Sequence, residues 1–116
     1  MSAGNDREGT SHWLDQRITA IALAMLSTIL ISKIFYFEDF SYDEIKFWFG
    51  SPLNVALVVL FIGTGFYHMQ LGIKVIVDDY VSKRALKNFF LVSNTLLVWG
   101  LATTTFISIA KLYLGN

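Results

Sequence analysis

The chain has 116 residues, of which 54% are hydrophobic and 16% charged, and its formal net charge is zero. A soluble domain usually keeps about a quarter of its residues charged, so the composition favours a membrane protein, while the balanced charge excludes a basic surface for nucleic acid. The chain has no cysteine and two histidines, which excludes disulfides, a cysteine-ligated iron–sulfur cluster and a thiol nucleophile, and argues against a zinc site built by this chain alone.

Residues 1–16 form a polar N-terminal segment in which both charge signs are mixed. A secretory signal begins with a basic stretch and ends at small residues, and a transit peptide is rich in arginine and poor in acids. The segment fits neither pattern, because the apolar run that follows it ends in Ile34-Phe35-Tyr36-Phe37. We therefore expect a mature N-terminus, as in a bacterial or organelle-encoded protein.

Three apolar stretches are long enough to cross a membrane as helices, since about 20 residues span a hydrocarbon core about 30 Å thick. They cover residues 17–37, 52–77 and 89–110, and they are separated by loops at 38–51 and 78–88 and followed by a tail at 111–116. Unpaired backbone groups are costly in lipid, and three strands cannot close a barrel. The predicted fold class is therefore all-α: an integral membrane protein with three transmembrane helices in a single domain.

Local signals refine this layout. Ser51 before Pro52 predicts an N-cap and a first helical residue for the second span, and Ser82 is the corresponding candidate cap for the third. The hydroxyl groups of the third span, such as those of Thr95 and Thr103–Thr105, are interpreted as bonds to other helices.

Basic residues predict the orientation, because loops on the cytoplasmic side carry more lysine and arginine. The N-terminal segment with the adjoining Arg17 and the 78–88 loop contain five such residues, and the 38–51 loop and the tail contain two: Arg7, Arg17, Lys83, Arg84 and Lys87 against Lys46 and Lys111. We therefore expect a cytoplasmic N-terminus, and a C-terminus in the periplasm, or in the intermembrane space of an organelle.

His68 is the candidate metal ligand. It lies ten residues before Asp78, which predicts a depth of about 15 Å, near the membrane midplane. Gly65 and Gly72 share its helix face and would leave a flat surface for a haem macrocycle. The alternative stays open that the glycines pack against a helix while His68 bonds a Ser or Thr on that helix. A membrane haem b usually has two axial histidines, so another subunit or a second copy would have to supply the other.

A second cluster is predicted where the first span begins and the second ends. Arg17 lies at the first boundary, and Asp78, Asp79 and Tyr80 lie at the second. A phenol beside an arginine–carboxylate pair could donate a hydrogen bond to a quinone carbonyl. An interfacial tyrosine beside an ordinary ion pair explains the same residues and also stays open.

Two motifs resemble those of a known family. His12–Ala20, with the sequence HWLDQRITA, is similar to the HWxxQRxTA motif of the smaller membrane anchor subunit of succinate dehydrogenases. Tyr67–Gly72, followed by Asp79 and Tyr80, resembles the H-x-x-x-G…D-Y signature of the same subunit, with histidine and tyrosine twelve positions apart. The likeness covers essentially the whole chain.

The resemblance implies one half of a six-helix anchor, formed with a second cytochrome b anchor subunit and carrying an iron–sulfur and a flavoprotein subunit. By match, His68 would be an axial ligand of haem b, and Tyr80, Asp79 and Arg17 would form a ubiquinone site. The chain would supply no residue to succinate oxidation itself, and would help pass electrons from the iron–sulfur subunit to quinone in the tricarboxylic acid cycle and respiratory chain. The implied location is the bacterial inner membrane, or the mitochondrial inner membrane for an organelle-encoded chain.

Three alternatives remain at this point. One is the anchor of a fumarate reductase, with the same architecture and the opposite electron flow. Another is a small exporter made of identical chains, although no acid lies within the first span to couple protons. The third is a scaffold protein without a cofactor.

Overall fold

The computed structural model describes residues 3–115, with the side chains of residues 9–115. The described chain has four helices and no strand, so the predicted all-α class is confirmed: α1 (Ala3–Ile34), α2 (Tyr42–Trp48), α3 (Pro52–Tyr80) and α4 (Arg84–Leu114). Gly9–Ile34 of α1, together with all of α3 and α4, is long and apolar enough to cross a membrane. The prediction of three transmembrane helices is thereby confirmed.

The central helix is α3, which packs against α1 and against α4. Residues 35–51 connect α1 to α3 at one end of the bundle, and residues 81–83 connect α3 to α4 at the other. Successive spans are therefore antiparallel, and the bundle is elongated, measuring 55 × 26 × 21 Å. We call residues 35–51 the loop end. The opposite end, where α1 and α4 begin and α3 stops, we call the basic end.

The helix starts follow local chemistry. Ser51 is the N-cap of α3, with its hydroxyl accepting from the backbone N–H of Asn54, and Pro52 is the first helical residue, so this prediction is confirmed. The expected cap at Ser82 is wrong, because α4 begins at Arg84 with Lys83 at its N-cap and no side-chain capping bond. The helix extends beyond the apolar stretch because Arg, Ala, Leu and Lys are all good helix formers.

The short helix α2 was not predicted within the 38–51 loop. Its signal is present in the sequence, since Ser41 and Glu44 have the spacing of a capping box. The Ser41 hydroxyl accepts from the Glu44 N–H at 3.2 Å. The Glu44 carboxylate accepts from the N–H groups of Glu38, Asp39 and Phe40 at 2.8–3.1 Å. These bonds hold Phe40 at a φ of 57°, a left-handed conformation that is rare for a bulky residue.

Few apolar side chains are buried within the chain, and those that are lie on α3 and α4: Leu71, Val77, Val98 and Ile109. Lipid is as apolar as these side chains, so spans associate through close packing and polar contacts. The hydroxyls of Thr95, Thr104 and Thr105 donate to carbonyls of their own helix at 2.7–2.9 Å, and none of the three bonds another described helix. Polar contacts between spans are therefore concentrated where α1 meets α3, apart from an ion pair between α3 and α4.

Candidate functional site

Two glycines of α3 face α1 and show the register between the two helices. A Cβ atom at Gly65 would lie 3.7 Å from the Leu23 side chain, and one at Gly72 would lie 3.8 Å from the Gln16 side chain. Both glycines therefore face α1, as the helix-packing alternative expected. Because the helices are antiparallel, residues whose numbers sum to about 88 lie at the same level.

His68 contacts α1 in this register. Its Nδ1 lies 2.8 Å from the Oγ1 of Thr19, and the ring is half-buried. The packing alternative therefore accounts for one ring nitrogen. An imidazole has two nitrogens, and the second can bind a metal while the first is hydrogen-bonded. Hydrogen bonding and metal ligation by His68 are thus compatible.

A cavity opens between α1 and α3 beside His68. Its volume is about 850 Å³, within the range of about 300–1,000 Å³ usual for small-molecule sites. The lining combines polar and apolar groups: Gly9, His12, Trp13, Gln16, Arg17 and Ala20 from α1, and His68, Leu71, Lys74, Val75 and Asp78 from α3. The cavity is open on one side.

The cavity follows the helix axes. His68 and Asp78 are ten residues apart on α3, which corresponds to about 15 Å. Gly9 and Ala20 bound a similar length on α1, with Gly9 level with Asp78 in the antiparallel register. The cavity therefore extends from His68 to the basic end, a length that suits an extended ligand or a planar macrocycle.

Arg17 lines this cavity near the level of His68, and its side chain is exposed. Its guanidinium carbon is 5.1 Å from the centre of the Trp13 ring, a cation–π contact. Because Arg17 lies two residues before Thr19, it is about 3 Å from the level of His68 and about 15 Å along the axis from Tyr80. The sequence interpretation had grouped Arg17 with Tyr80, because it took the start of the apolar stretch as the start of the helix in the bundle.

The depth of His68 also depends on the real helix length. α3 has 29 residues, about 43 Å, which exceeds the hydrocarbon core of about 30 Å. His68 lies about 24 Å from Pro52 but about 18 Å from Tyr80 along the axis. It therefore lies within about 3 Å of the middle of α3, and its depth in the membrane stays a prediction.

Asp79 and Tyr80 lie at the end of α3, on its surface. The Tyr80 side chain is 84% exposed and Asp79 is also exposed. The cavity lining includes Asp78 but neither of these residues, and Asp78 pairs with Lys87 of α4 at 4.0 Å. Any ligand that meets the Tyr80 phenol therefore lies outside this cavity, against the surface of the chain.

Sequence reasoning missed two contacts that join α1 to α3. Besides Thr19 and His68, the Tyr67 hydroxyl donates to a carboxylate oxygen of Asp15 at 2.9 Å. These pairs are 49 and 52 positions apart, so no local spacing could reveal them. Among the described residues, no group of three His, Asp or Glu side chains could hold a bare metal ion.

The fold and the cavity define a class: a multi-pass helical membrane protein with an open cavity between two of its spans. The family model described as "Succinate dehydrogenase/Fumarate reductase transmembrane subunit" matches residues 1–110. The chain belongs to this family and is a membrane anchor subunit.

Individual relatives agree with the family. The chain is 30% identical over 91 residues to the "Succinate dehydrogenase hydrophobic membrane anchor subunit" of Rickettsia typhi, covering 78% of this chain and 73% of the relative. It is 29% identical over 114 residues to the subunit of the same name in Rickettsia bellii, covering 98% and 90%. The corresponding subunit of Paracoccus denitrificans is 24% identical over 112 residues, covering 97% and 86%. A comparison with solved structures gave no match.

Proposed function

We propose that this chain is the smaller membrane anchor of a succinate dehydrogenase, which helps to hold haem b and ubiquinone and to pass electrons from the iron–sulfur subunit to quinone. One observation carries the proposal: His68 faces a cofactor-sized cavity while only one of its ring nitrogens is engaged by α1. Family membership supports the complex, and removes the support for an exporter of identical chains. The relatives named as succinate dehydrogenase subunits favour succinate oxidation over fumarate reduction.

The residues of the cavity fit a haem. His68 would supply one axial nitrogen, and Arg17 and Lys74 would neutralise the carboxylates of the macrocycle. Trp13 and Leu71 offer apolar surface to its ring. A bound haem would supply reversible one-electron chemistry beside the route to quinone.

The second axial ligand must come from another chain. The other histidine, His12, lies seven residues before Thr19, about 10 Å along the axis from the level of His68. At that separation along the helix axis, His12 would not share an iron with His68. The open side of the cavity is therefore assigned to a second cytochrome b anchor subunit, with which the three spans would form a six-helix anchor.

The quinone would lie at the basic end, against Tyr80 and Asp79. Their exposure is suited to a site completed by the iron–sulfur subunit. The Tyr80 hydroxyl would donate to a quinone oxygen as negative charge develops there, and such a bond strengthens as the charge grows. Arg17 lies about 15 Å along the axis from Tyr80. Its positive charge would act on ligands in the cavity beside His68 and on electron transfer between that cavity and the quinone.

This proposal places the basic end on the cytoplasmic side, where the flavoprotein and iron–sulfur subunits would bind. The membrane would be the bacterial inner membrane. The support for this orientation is the excess of basic residues near the helix ends and in the connection between α3 and α4 at this end. Segments rich in lysine and arginine tend to stay on the cytoplasmic side, according to the positive-inside rule.

The test is the absorption spectrum of the purified, dithionite-reduced complex. We expect a haem b band in the wild type, with co-purifying flavin, and loss of haem or an altered low-spin spectrum in His68→Ala, because the iron loses an imidazole. His12→Ala is the matched control, since it removes the other histidine that lines the cavity. An unchanged spectrum and midpoint potential in His68→Ala would exclude His68 as the ligand, and a colourless wild-type complex would defeat the haem assignment.

A further inference from the structure

Thr19 is the most buried polar residue of α1 among the described side chains, with 9% of its surface exposed. Its Oγ1 lies 2.7 Å from the carbonyl oxygen of Asp15 and 3.2 Å from that of Gln16, both on its own helix. The same oxygen lies 2.8 Å from Nδ1 of His68. The hydroxyl is thus placed between the backbone of α1 and the imidazole of α3.

The number of available hydrogens determines which atom donates in each of the hydrogen bonds of Thr19. A threonine hydroxyl has one hydrogen to donate, and a backbone carbonyl can only accept. If the hydroxyl donated to His68, its oxygen would face the Asp15 carbonyl at 2.7 Å with no hydrogen between two electronegative atoms. The hydroxyl therefore donates to Asp15, and Nδ1 of His68 donates to the Thr19 oxygen.

We infer that Thr19 is a positioning residue that fixes His68 as the Nδ1–H tautomer and so leaves the lone pair on Nε2 for a metal. The link to iron rests on the proposed haem function, whereas the tautomer does not. Neutral ligating histidines commonly donate their other N–H to an acceptor, which fixes the ring orientation and raises ligand basicity. Here a side-chain hydroxyl of the neighbouring span takes that role.

The neighbouring bond from Tyr67 to Asp15 supplies an internal control. It joins the same two helices, but it does not touch the imidazole. Tyr67→Phe removes that bond but keeps the Thr19 hydroxyl and its contact with His68, so it should leave the His68 tautomer unchanged. A second control is Thr28→Val, because the exposed Thr28 hydroxyl makes the same type of bond to its own helix, to Ala24, without a histidine partner.

The first experiment needs no haem. The full chain, labelled with ¹⁵N-histidine and placed in lipid bilayers without haem, gives ring signals for only two histidines, and a His12→Gln variant assigns them. We expect His68 as the Nδ1–H tautomer in the wild type and in Thr19→Ser. In Thr19→Val the other tautomer should gain, because Nδ1–H loses its buried acceptor. Tautomer populations unchanged in Thr19→Val would overturn the inference, as would equal changes in Thr28→Val or Tyr67→Phe.

The second experiment uses the assembled complex. Thr19→Val should lower haem affinity by about 10- to 100-fold, the usual effect of removing a partner of a ligating histidine. The midpoint potential should become more positive, because a less basic imidazole stabilises the oxidised iron less. Thr19→Ser should restore both properties, and unchanged affinity and potential in Thr19→Val would break the link from tautomer to ligation. If the wild-type complex holds no haem while the tautomer is as expected, the proposed haem function fails and the role of Thr19 in fixing His68 stands.

Discussion

At the loop end, backbone and side-chain polar groups form hydrogen bonds with one another. At the basic end, several polar side chains face an open cavity instead. Glu44 binds three successive backbone N–H groups. The Ser41 backbone N–H donates to Asp39 at 2.9 Å and holds the pKa of that carboxyl below its ordinary value of 3.8. The Asn54 amide donates to the carbonyl of Trp48 at 3.0 Å, although its buried carbonyl oxygen has no partner among the described residues.

The basic end differs because cationic side chains there face the cavity without a carboxylate partner among the described residues. Arg17 stacks on Trp13 and has no carboxylate partner among the described residues, and Lys74 faces the same cavity. Cationic groups at membrane depth are costly unless they meet an anion or water. The contrast is that the loop end bonds its backbone donors within the chain, while the basic end leaves Arg17 and Lys74 facing an open cavity.

The largest expected effect concerns which side of the membrane each end faces. Alkaline phosphatase fused after Asn116 should be active, and the same enzyme fused at Ser82 should be inactive, because it needs the oxidising periplasm for its disulfides. Arg17 lies several turns inside α1, so the orientation rests on four basic residues of the basic end against three at the opposite end: Arg7, Lys83, Arg84 and Lys87 against Lys33, Lys46 and Lys111. The reverse activity pattern would put the open end on the periplasmic side.

The second prediction concerns Tyr80. The variant Tyr80→Phe keeps the ring but removes a donor to the developing charge on quinone, a bond worth about 1.5–3 kcal/mol. Quinone reductase activity should fall by about ten- to a hundred-fold. Succinate oxidation with an artificial acceptor that bypasses the membrane should stay near the wild-type rate.

The matched control is Tyr36→Phe at the loop end. Tyr36 is 86% exposed, close to the 84% of Tyr80, so the two variants differ mainly in which end they alter. Tyr36→Phe should leave quinone reduction unchanged. If Tyr80→Phe lost quinone reduction and succinate oxidation with the artificial acceptor to the same extent, the role of Tyr80 would be structural. If quinone reduction stayed normal in that variant, Tyr80 would not belong to the quinone site.

The smallest effect is expected at the loop end. Glu44→Gln keeps one accepting oxygen but loses the one that binds the N–H groups of Asp39 and Phe40. Hydrogen exchange at these two amides should accelerate by about tenfold, equivalent to about 1.4 kcal/mol. Haem content and quinone reduction should not change, since no residue of this loop lines the cavity. The control Glu38→Gln alters an exposed acid of the same loop and should leave the exchange unchanged. A loss of haem in Glu44→Gln would show that the two ends are not independent.

Composition and hydropathy alone predicted the all-α class and the three spans, because the cost of unpaired backbone groups in lipid permits few other solutions. The start of α3 was equally predictable, since Ser51 and Pro52 are a strong local signal. The capping box at Ser41 and Glu44 was just as local and would have predicted α2. Helix lengths were less predictable, because polar residues that form good helices extend α4 beyond its apolar stretch.

The site depended on tertiary structure. His68 could be chosen from its isolation in an apolar stretch, but its partner Thr19 belongs to another helix and is defined only by the register between α1 and α3. That register also places Arg17 near the level of His68 and about 15 Å along the helix axis from Tyr80. The order of residues in the sequence does not reveal these distances between helices. Hydropathy records how well each residue suits lipid, one residue at a time. Which polar groups meet inside the membrane depends on how two helices are shifted along each other, and in this protein the shift places Gly65 opposite Leu23 and Gly72 opposite Gln16.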